Sequence, residues 1–333
     1  MKWAIIGAGY ISNKFCQNIL QIRESKILSV ASKNEMKLKA FAKRFNVDKK
    51  NQYNNYSDLI NSDFDIAYVG LINSMHKEII LKLANNKKNI LVEKPAFLSL
   101  KEFDENIDFI KKQKILFMES MMYLHHPQIK KIFEIIKNNE IGDLYKFEYK
   151  LGFDIRKKFF KYFKKKINFI NRLTDPNLGG GAINDIGCYP VSFSNKLANI
   201  FGLNNVKKIT KNSRIGLTGV DENSNICIEY ENGFTSDLLV SINKKQDCKA
   251  IIKGSKGKIV IPNLITPNNN YKIILDTNSI KELSFEADDL YTYIIKDTED
   301  YIKNRINEPN RNGLNWLEMR KNIEILDQWK RAE

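Results

Sequence analysis

The sequence predicts an α/β protein of two domains, a doubly wound parallel sheet followed by an open, mainly antiparallel sheet. Three observations support this prediction. The 333 residues exceed what one hydrophobic core usually serves. Short apolar strands alternate with amphipathic helices in the first third of the chain, which is typical of parallel βαβ units. Runs of alternating polarity joined by turn residues follow in the second half, which is typical of antiparallel hairpins.

The first domain is predicted to span residues 1–118. Apolar residues at helical spacing, such as Ile11, Phe15 and Ile19, indicate a helix directly after the first strand. Right-handed crossovers between the strands then give a doubly wound sheet. We expect strands at 2–6, 27–31, 66–71, 89–92 and 115–118, and helices at 11–20, 36–45, 77–84 and 100–112.

The second domain, residues 119–333, begins with a predicted helix at 128–138. The dipeptide Asn232-Gly233 suits a type I′ hairpin turn, and a second turn is expected at 253–257. Two closing helices are expected at 288–305 and 314–331, with the option that they pack back on the first domain. The strands are expected at 144–151, 206–211, 224–230, 234–242, 249–253 and 258–261.

The net charge of +15 raises the question of a polyanionic partner. The densest basic run, Arg156–Lys166, is interleaved with aromatic residues and suits either an acidic ligand or a solvated face that packs by its rings. Because Lys, Asn and Ile are abundant together throughout the chain, a compositional bias explains the charge, and we expect no nucleic-acid partner. No run of eighteen apolar residues and no signal-peptide pattern occur, so we expect no membrane span and a cytoplasmic protein.

The cysteines do not form a metal-binding or disulfide pattern. None of the four stands in a C-x-x-C motif, and no histidine lies at zinc-ligand spacing. We therefore expect reduced, packed thiols and no metal site.

The segment from Gly7 to Ser12 has the form G-x-G-x-x-S between a strand and a helix. Gly7 allows the tight turn, and Gly9 lets backbone amides approach a pyrophosphate at the helix N-terminus. Tyr10 and Ile11 continue this turn, and Ser12 replaces a glycine that serves helix–strand packing. Dinucleotide binding is favoured over a purely structural glycine turn.

The end of the second strand indicates which dinucleotide binds. NAD-binding proteins place an acid there, whereas this chain has Ser32 and Lys33. A hydroxyl donor and a cation suit a 2′-phosphate, so NADP is favoured and NAD is the less favoured cofactor. The alternative is that Lys33 is one of many surface lysines.

Three polar residues form a candidate catalytic set. Lys94 follows a strand in the sequence "VEKP", and strand carboxyl ends face the ligand crevice in open α/β sheets. In "GGGAINDIGCYP", Asp185 and Tyr189 lie one turn apart on one face if the segment after Gly181 is helical. An ammonium lowers the pKa of a nearby phenol, so Lys94 and Tyr189 together suit proton transfer. The alternatives are an exposed lysine, a helix-capping aspartate and a core tyrosine.

These motifs resemble, in order and spacing, the glucose–fructose oxidoreductase / inositol dehydrogenase / rhizopine catabolism (Gfo/Idh/MocA) family. The resemblance rests on "GAGYIS", "ASKNEMKLKAFAKRF", "NSMH", "VEKP", "MESMMYLHHPQ", "GGGAINDIGCYP" and "TGVDENSNICIEYENG". Tyr189, where inositol dehydrogenase-like members have His, is similar to the branch of dimeric dihydrodiol dehydrogenases, D-xylose dehydrogenases and glucose–fructose oxidoreductase. Ile72 and Leu124 depart from the Pro and Arg common in relatives.

The resemblance implies a Rossmann domain that binds NADP and a second domain whose open sheet forms a homodimer or homotetramer. It implies that Lys94 and Tyr189 carry the proton transfer and that Asp185 is the acid of the substrate site. The implied cofactor contacts include Asn73, His76, Glu93, Lys94 and Arg172.

Together these observations predict an NADP-dependent oxidoreductase acting on a sugar, a cyclic polyol or a small diol, with Tyr189 as proton donor or acceptor. The alternative is a non-catalytic NADP(H)-binding sensor or regulatory protein of the same fold. The presence of both Lys94 and Tyr189 favours the enzyme, because a binding protein needs neither.

Overall fold

The computed structural model describes residues 1–155, 172–202, 205–267 and 269–331. The chain divides into two compact units. The first consists of Met1–His126 and Asp288–Arg320, and the second of Pro127–Ala287 and Lys321–Glu333. The basic run 156–166 lies outside the described residues.

The secondary structure alternates in the first unit and is mostly strand in the second. Strands β1–β14 span Lys2–Ile6, Lys26–Ala31, Gln52–Tyr53, Ile66–Val69, Asn89–Val92, Phe117–Glu119, Leu144–Gly152, Val206–Ile215, Asp221–Tyr230, Thr235–Ser241, Ala250–Gly254, Gly257–Ile261, Asn270–Asp276 and Ile280–Glu286. Helices α1–α9 span Tyr10–Ile19, Glu35–Phe45, Tyr56–Ile60, His76–Asn85, Leu100–Lys112, Pro127–Lys137, Cys188–Ala198, Leu290–Lys303 and Trp316–Lys330.

The sheet of the first unit is parallel, with strand order β3-β2-β1-β4-β5-β6. This is the doubly wound order that the alternating pattern predicts, and it confirms the Rossmann architecture. The central strands are wholly buried, from Trp3 to Ile6 and from Ile66 to Val69. Helix α8 belongs to this unit, where Glu299 accepts a hydrogen bond of 2.8 Å from the indole of Trp3.

The sheet of the second unit has the order β14-β13-β12-β11-β7-β10-β9-β8. Strands β7 and β10 are parallel and the other neighbouring pairs are antiparallel, as the hairpin pattern predicts. Along β9 and β10 the side chains alternate between buried and half-exposed, so one face forms the core. Strands β13 and β14 were not among the predicted strands.

The hairpin between β9 and β10 differs from the predicted type I′ turn. A type I′ turn needs positive φ at both central residues, but only Gly233 has it, at 84°. Tyr230 donates its N–H to the carbonyl of Phe234, which leaves a three-residue loop between them. The Asn232 side chain accepts the N–H of Phe234 at 3.0 Å and holds the loop in this form. The type I′ prediction was therefore wrong.

All four cysteines lie in the described ranges and none is in a disulfide; Cys16 and Cys188 are buried. Burial raises the pKa of the Cys16 thiol well above its ordinary value. Within the described ranges, no group of three His, Cys, Asp or Glu residues is placed to hold a metal ion. None of the helices in the described part of the chain has the length and apolar character needed to span a membrane.

Candidate active site

The turn after β1 is built for close approach of backbone. Gly7 has a φ of +101°, and a Cβ atom there would lie 2.6 Å from the carbonyl oxygen of Gly70. By contrast, the nearest atom to a Cβ on Gly9 would be that same oxygen at 3.9 Å. Gly9 is the N-cap of α1 and has no side chain to satisfy the first-turn N–H groups. Protein packing therefore explains Gly7, whereas the space at Gly9 fits a phosphate at a helix N-terminus.

Ser12 takes the place of the third glycine because a neighbouring glycine makes room for it. The side chain is fully buried, and a Cβ on Gly70 would lie 2.3 Å from Ser12 Oγ. Gly70 follows β4, which lies beside β1 in the sheet. Helix α1 can therefore pack closely on the sheet because Gly70, directly after β4, leaves space for the Ser12 side chain.

The end of β2 carries the two residues predicted to select the cofactor. Gly7 N–H donates to the carbonyl of Ala31 at 2.9 Å, so the glycine turn and this strand end are neighbours. Ser32 is buried and accepts the N–H of Asn34 at 3.2 Å. Lys33 is exposed, with its ammonium 5.5 Å from the centroid of the Tyr56 ring. A hydroxyl and a cation thus lie next to the glycine turn, with no acid at the strand end.

His76 joins two loops at the carboxyl edge of the sheet. It is fully buried, with Nδ1 2.8 Å from the carbonyl oxygen of Pro95 and Nε2 3.2 Å from that of Leu71. Burial lowers its pKa, so the neutral ring donates to one carbonyl, and the shorter contact favours Nδ1–H. His76 therefore holds the loop after β5 against the loop after β4. Asn73, also buried, begins the short 3₁₀ turn just before it.

Lys94 is the second residue after β5 and is joined to Pro95 by a cis peptide bond. Glu93 beside it is buried and accepts a 2.7 Å hydrogen bond from the hydroxyl of Tyr68 on β4. Burial raises the pKa of Glu93, against the opposing effects of the Tyr68 bond and the Lys94 charge. Lys94 thus extends from a strand end that is fixed on both sides.

A second buried acid, Glu119, lies near Lys94 at the end of β6. Its Oε1 accepts the N–H of Ala96 at 2.8 Å, and no partner within the described residues reaches its buried Oε2. Burial raises its pKa to about 7, as does the Glu93 charge, while the Ala96 bond and the Lys94 charge act in the opposite direction. Glu119 was not among the predicted site residues, although its place directly after a predicted apolar strand indicates the carboxyl edge of the sheet.

The second unit brings together Arg172 and Asp185. The guanidinium Nη1 lies 3.1 Å from Asp185 Oδ1, with the arginine side chain 49% exposed and the aspartate side chain 8% exposed. Arg172 was expected at the cofactor and Asp185 at the substrate, so a direct pair between them was not expected. The exposed part of the guanidinium still offers N–H donors to an oxygen-rich ligand.

Asp185 and Tyr189 lie on a helical segment, as predicted, but its start is irregular. Ile183–Gly187 form a π-helical turn, and α7 continues from Cys188. Tyr189 is buried within the first turn of α7. The glycine at 180 is explained by its neighbours, since a Cβ there would lie 2.7 to 2.9 Å from the carbonyl oxygens of residues 172, 173 and 175. It lets the preceding loop pack against the segment.

The two units therefore carry two different sets of functional groups. The first has a helix N-terminus open to a phosphate, a hydroxyl and a cation at the neighbouring strand end, and a lysine beside buried acids. The second has a buried tyrosine and an aspartate on one helical segment, with an arginine from the preceding loop paired to the aspartate. Such groups suit binding of a dinucleotide and transfer of a proton to or from a hydroxyl.

Comparisons with known proteins agree with the dinucleotide-binding and proton-transfer groups described above. The model of the oxidoreductase family with an NAD-binding Rossmann fold (GFO/IDH/MocA) matches residues 1–121, and that of the GFO/IDH/MocA C-terminal domain matches residues 129–260. The chain belongs to the GFO/IDH/MocA oxidoreductase family. It is an NAD(P)-dependent dehydrogenase or reductase of that family, which confirms the predicted class.

Individual relatives include trans-1,2-dihydrobenzene-1,2-diol dehydrogenases. That of Xenopus tropicalis is 30% identical over 264 residues, covering 78% of this chain and 75% of the relative. That of Mus musculus is 29% identical over 270 residues, covering 80% and 76%. These matches place the chain near the branch indicated by Tyr189.

Solved structures with the same fold include two enzymes of lower identity. A 3-ketoreductase from Actinomadura kijaniata in complex with NADP and TDP-benzene has a TM-score of 0.85 at 19% identity, covering 98% of this chain and 96% of that one. An aldose-aldose oxidoreductase from Caulobacter crescentus complexed with glycerol has a TM-score of 0.84 at 16% identity, covering 100% and 97%. They confirm the fold.

Proposed function

We propose that the protein catalyses reversible, NADP-dependent hydride transfer to or from a CH–OH carbon of a sugar, a cyclic polyol or a small diol. The observation that carries this proposal is Lys94 at the carboxyl end of β5, fixed by Glu93 and by the His76 bridge to Pro95. Ligands of doubly wound sheets bind at this edge, near the point where strand order reverses between β1 and β4.

The residues of the glycine turn fit the dinucleotide. The first-turn N–H groups of α1 would hold the pyrophosphate, and Ser32 with Lys33 would hold a ribose 2′-phosphate. When bound, the cofactor supplies or accepts the hydride. The NADP-bound 3-ketoreductase supports the same preference by analogy of fold.

The chain's own residues handle the proton. In the oxidative direction, Tyr189 takes the proton of the substrate hydroxyl while the carbon gives up its hydride. In the reductive direction Tyr189 returns the proton to the carbonyl oxygen. Lys94 aids this proton transfer in the proposed reaction, because an ammonium favours the charged form of a phenol. Asp185, held by Arg172, accepts hydrogen bonds from further substrate hydroxyls and orients the ring.

The substrate class follows from the relatives and from these acceptors. The named relatives act on dihydrobenzene-diols, and the structural neighbours include a sugar oxidoreductase and a 3-ketoreductase. A carboxylate beside a half-exposed guanidinium suits a vicinal diol, because one group accepts and the other donates hydrogen bonds. Sugars, inositols and cyclic diols share this feature.

The test is a screen of NADP⁺ reduction over aldoses, sugar acids, inositols and dihydrodiols, followed by Lys94→Ala and Tyr189→Phe. Both variants should lose at least about 100-fold in kcat, the usual contribution of a proton-transfer group. Binding of NADPH is measured in parallel, so that a loss of folding is recognised. Full turnover by both variants would refute the proposed roles, and cofactor binding without turnover of any substrate would favour a sensor.

We further propose a homodimer or homotetramer formed through the outward face of the second sheet. Lys146 on β7 contacts Asp237 at 2.6 Å and Glu148 at 3.2 Å, and Lys253 on β11 contacts Glu148 at 2.8 Å. These half-exposed side chains lie opposite the buried Phe147. Light scattering coupled to gel filtration tests the assembly, and a monomeric mass would refute it.

A further inference from the structure

Gly181 is a glycine because a carboxylate from another strand occupies the place of its side chain. Its φ is +103°, and a Cβ atom there would lie 2.2 Å from Oδ1 of Asp221. Asp221 is the first residue of β9. The glycine and the acid are thus matched to each other across the second unit.

The same carboxylate receives the backbone at the start of the segment that carries Asp185 and Tyr189. Asp221 Oδ2 accepts the N–H of Ile183 at 2.7 Å across a separation of 38 residues, and the backbone of Ala182 also hydrogen-bonds to it. Ala182 precedes the π-helical turn and has no polar side chain with which to cap it. Asp221 therefore supplies from a distance the acceptor that a local capping residue would provide.

The anchored residues are directly connected to the polar groups of the site. Gly181 accepts the N–H of Asp185 at 3.0 Å and donates its own N–H to the carbonyl of Leu173 at 2.9 Å. Tyr189 lies one turn further along the same segment. A shift of the first turn would move Asp185 and Tyr189 together.

We propose that Asp221 is a positioning residue that anchors the first turn of the segment Ala182–Ala198 and thereby fixes Tyr189 and Asp185. The anchoring itself stands on the hydrogen bonds above. Its effect on turnover rests on the proposed function of Tyr189.

The charges around Asp221 make the anchor dependent on pH. Burial raises the pKa of Asp221 to about 6, while the N–H groups of Ile183 and Ala182 and the charge of Lys330 oppose this rise. The adjoining cleft of about 750 Å³ is also lined by Lys211 and Arg331. Lys211 donates to the carbonyl oxygens of residues 328 and 331, and Lys330 pairs with Asp327 at 2.9 Å. Below pH 6 the carboxyl is protonated and loses acceptor capacity toward the two amides.

The kinetic test compares Asp221→Asn with the wild type across pH 5 to 8. Asparagine keeps the size of the side chain but replaces one carboxylate oxygen by an NH₂ group, which cannot accept an N–H. We expect kcat to fall about tenfold or more at pH 7.5, with NADPH binding within about twofold of the wild type. We also expect the wild-type kcat to fall below pH 6 and this acid limb to be absent from Asp221→Asn. Equal kcat at pH 7.5, or an unchanged acid limb, would overturn the proposal.

Hydrogen exchange tests the anchor without any substrate. In Asp221→Asn the amides of residues 182–189 should exchange about tenfold faster at pH 7.5, while those of the first unit stay unchanged. Equal exchange would overturn the proposal even if no turnover had been found for the wild type. Failure of the proposed function alone would leave this difference in place.

Asp175→Asn is the matched control. Asp175 also accepts a backbone N–H, that of Asn177 at 2.9 Å, and it lies in the same unit. The N–H of Asn177 needs a single oxygen, which asparagine also provides, so this variant should keep wild-type kinetics and exchange. Gly181→Ala is the complementary change, since its Cβ displaces the Asp221 carboxylate, and its effect should not add to that of Asp221→Asn.

Discussion

Glu119 should destabilise the first unit at neutral and alkaline pH, and its replacement by glutamine should remove this cost. The carboxyl is 2% exposed, with Ala96 N–H as the partner of Oε1. Its Oε2 has no partner among the residues that the structure describes. Glutamine is close in size to the protonated acid and can keep the bond to Ala96. Neutralisation of the charge is therefore the main change.

The size of this loss of stability follows from the pKa of Glu119, which is about 7 against an ordinary value of 4.5. Between these two pH values the folded chain keeps a proton that the unfolded chain has lost. Stability therefore falls as pH rises through this window, and the full cost is present above pH 7. A shift of this size corresponds to about 3 kcal/mol, of which about 2 kcal/mol develops between pH 5 and pH 8.

The assay is thermal unfolding of the cofactor-free protein at pH 5, 6, 7 and 8, wild type against Glu119→Gln. The two proteins should be alike at pH 5, and the variant should gain about 4 to 8 °C in Tm relative to wild type by pH 8. Glu105→Gln, on the exposed face of α5, is a control for the general effect of removing an acid from this unit. A stability difference between wild type and Glu119→Gln that does not change with pH would refute the reasoning.

Three further predictions concern the described contacts. Gly70→Ala should lower the stability of the first unit by about 1 to 3 kcal/mol through overpacking against Ser12 Oγ, and the added change Ser12→Ala should recover part of it, as measured by denaturant unfolding. Joint replacement of Ser32 and Lys33 by alanine should weaken NADP⁺ binding roughly tenfold and leave NAD⁺ binding unchanged in fluorescence titrations; equal losses for both would contradict the assignment. Arg172→Ala should raise KM for the substrate about tenfold. Arg172→Lys should restore KM only in part, because lysine lacks the paired N–H donors of the guanidinium. An unchanged KM would remove Arg172 from the substrate site.

The fold of the first unit was predictable because its strands are buried and its helices are amphipathic. The apolar run from Trp3 to Ile6 and the helical spacing of Phe15 and Ile19 indicate buried positions, and these residues are buried in the structure. Strand β14 shows no such apolar pattern, because most side chains of Ile280–Glu286 are exposed. An exposed edge strand needs backbone pairing more than an apolar pattern, so hydrophobic alternation could not reveal it.

The candidate site was predictable where function depends on position relative to a strand end. Lys94 and Ser32 follow strands that the apolar pattern marks, and the sheet topology brings such ends to one edge. The link between Asp221 and Gly181 was not predictable, since it depends on where β9 passes relative to a segment 38 residues away. The π-helical turn at Ile183–Gly187 has no local sequence pattern that distinguishes it from an α-helix.

Glu119 and Asp221 have pKa values raised by the same cause, so ionisation of either carboxyl lowers the stability of the folded chain. Both are acids that burial holds closer to neutral than an exposed carboxyl. Asp221 accepts backbone N–H groups from Ile183 and Ala182, so its charge satisfies donors that would otherwise lack an acceptor. Glu119 has one such donor and an oxygen without a partner among the described residues, so its charge remains largely uncompensated. The raised pKa therefore gives the cost of ionisation for both carboxyls, while the hydrogen bonds of Asp221 also fix the position of the turn that it anchors.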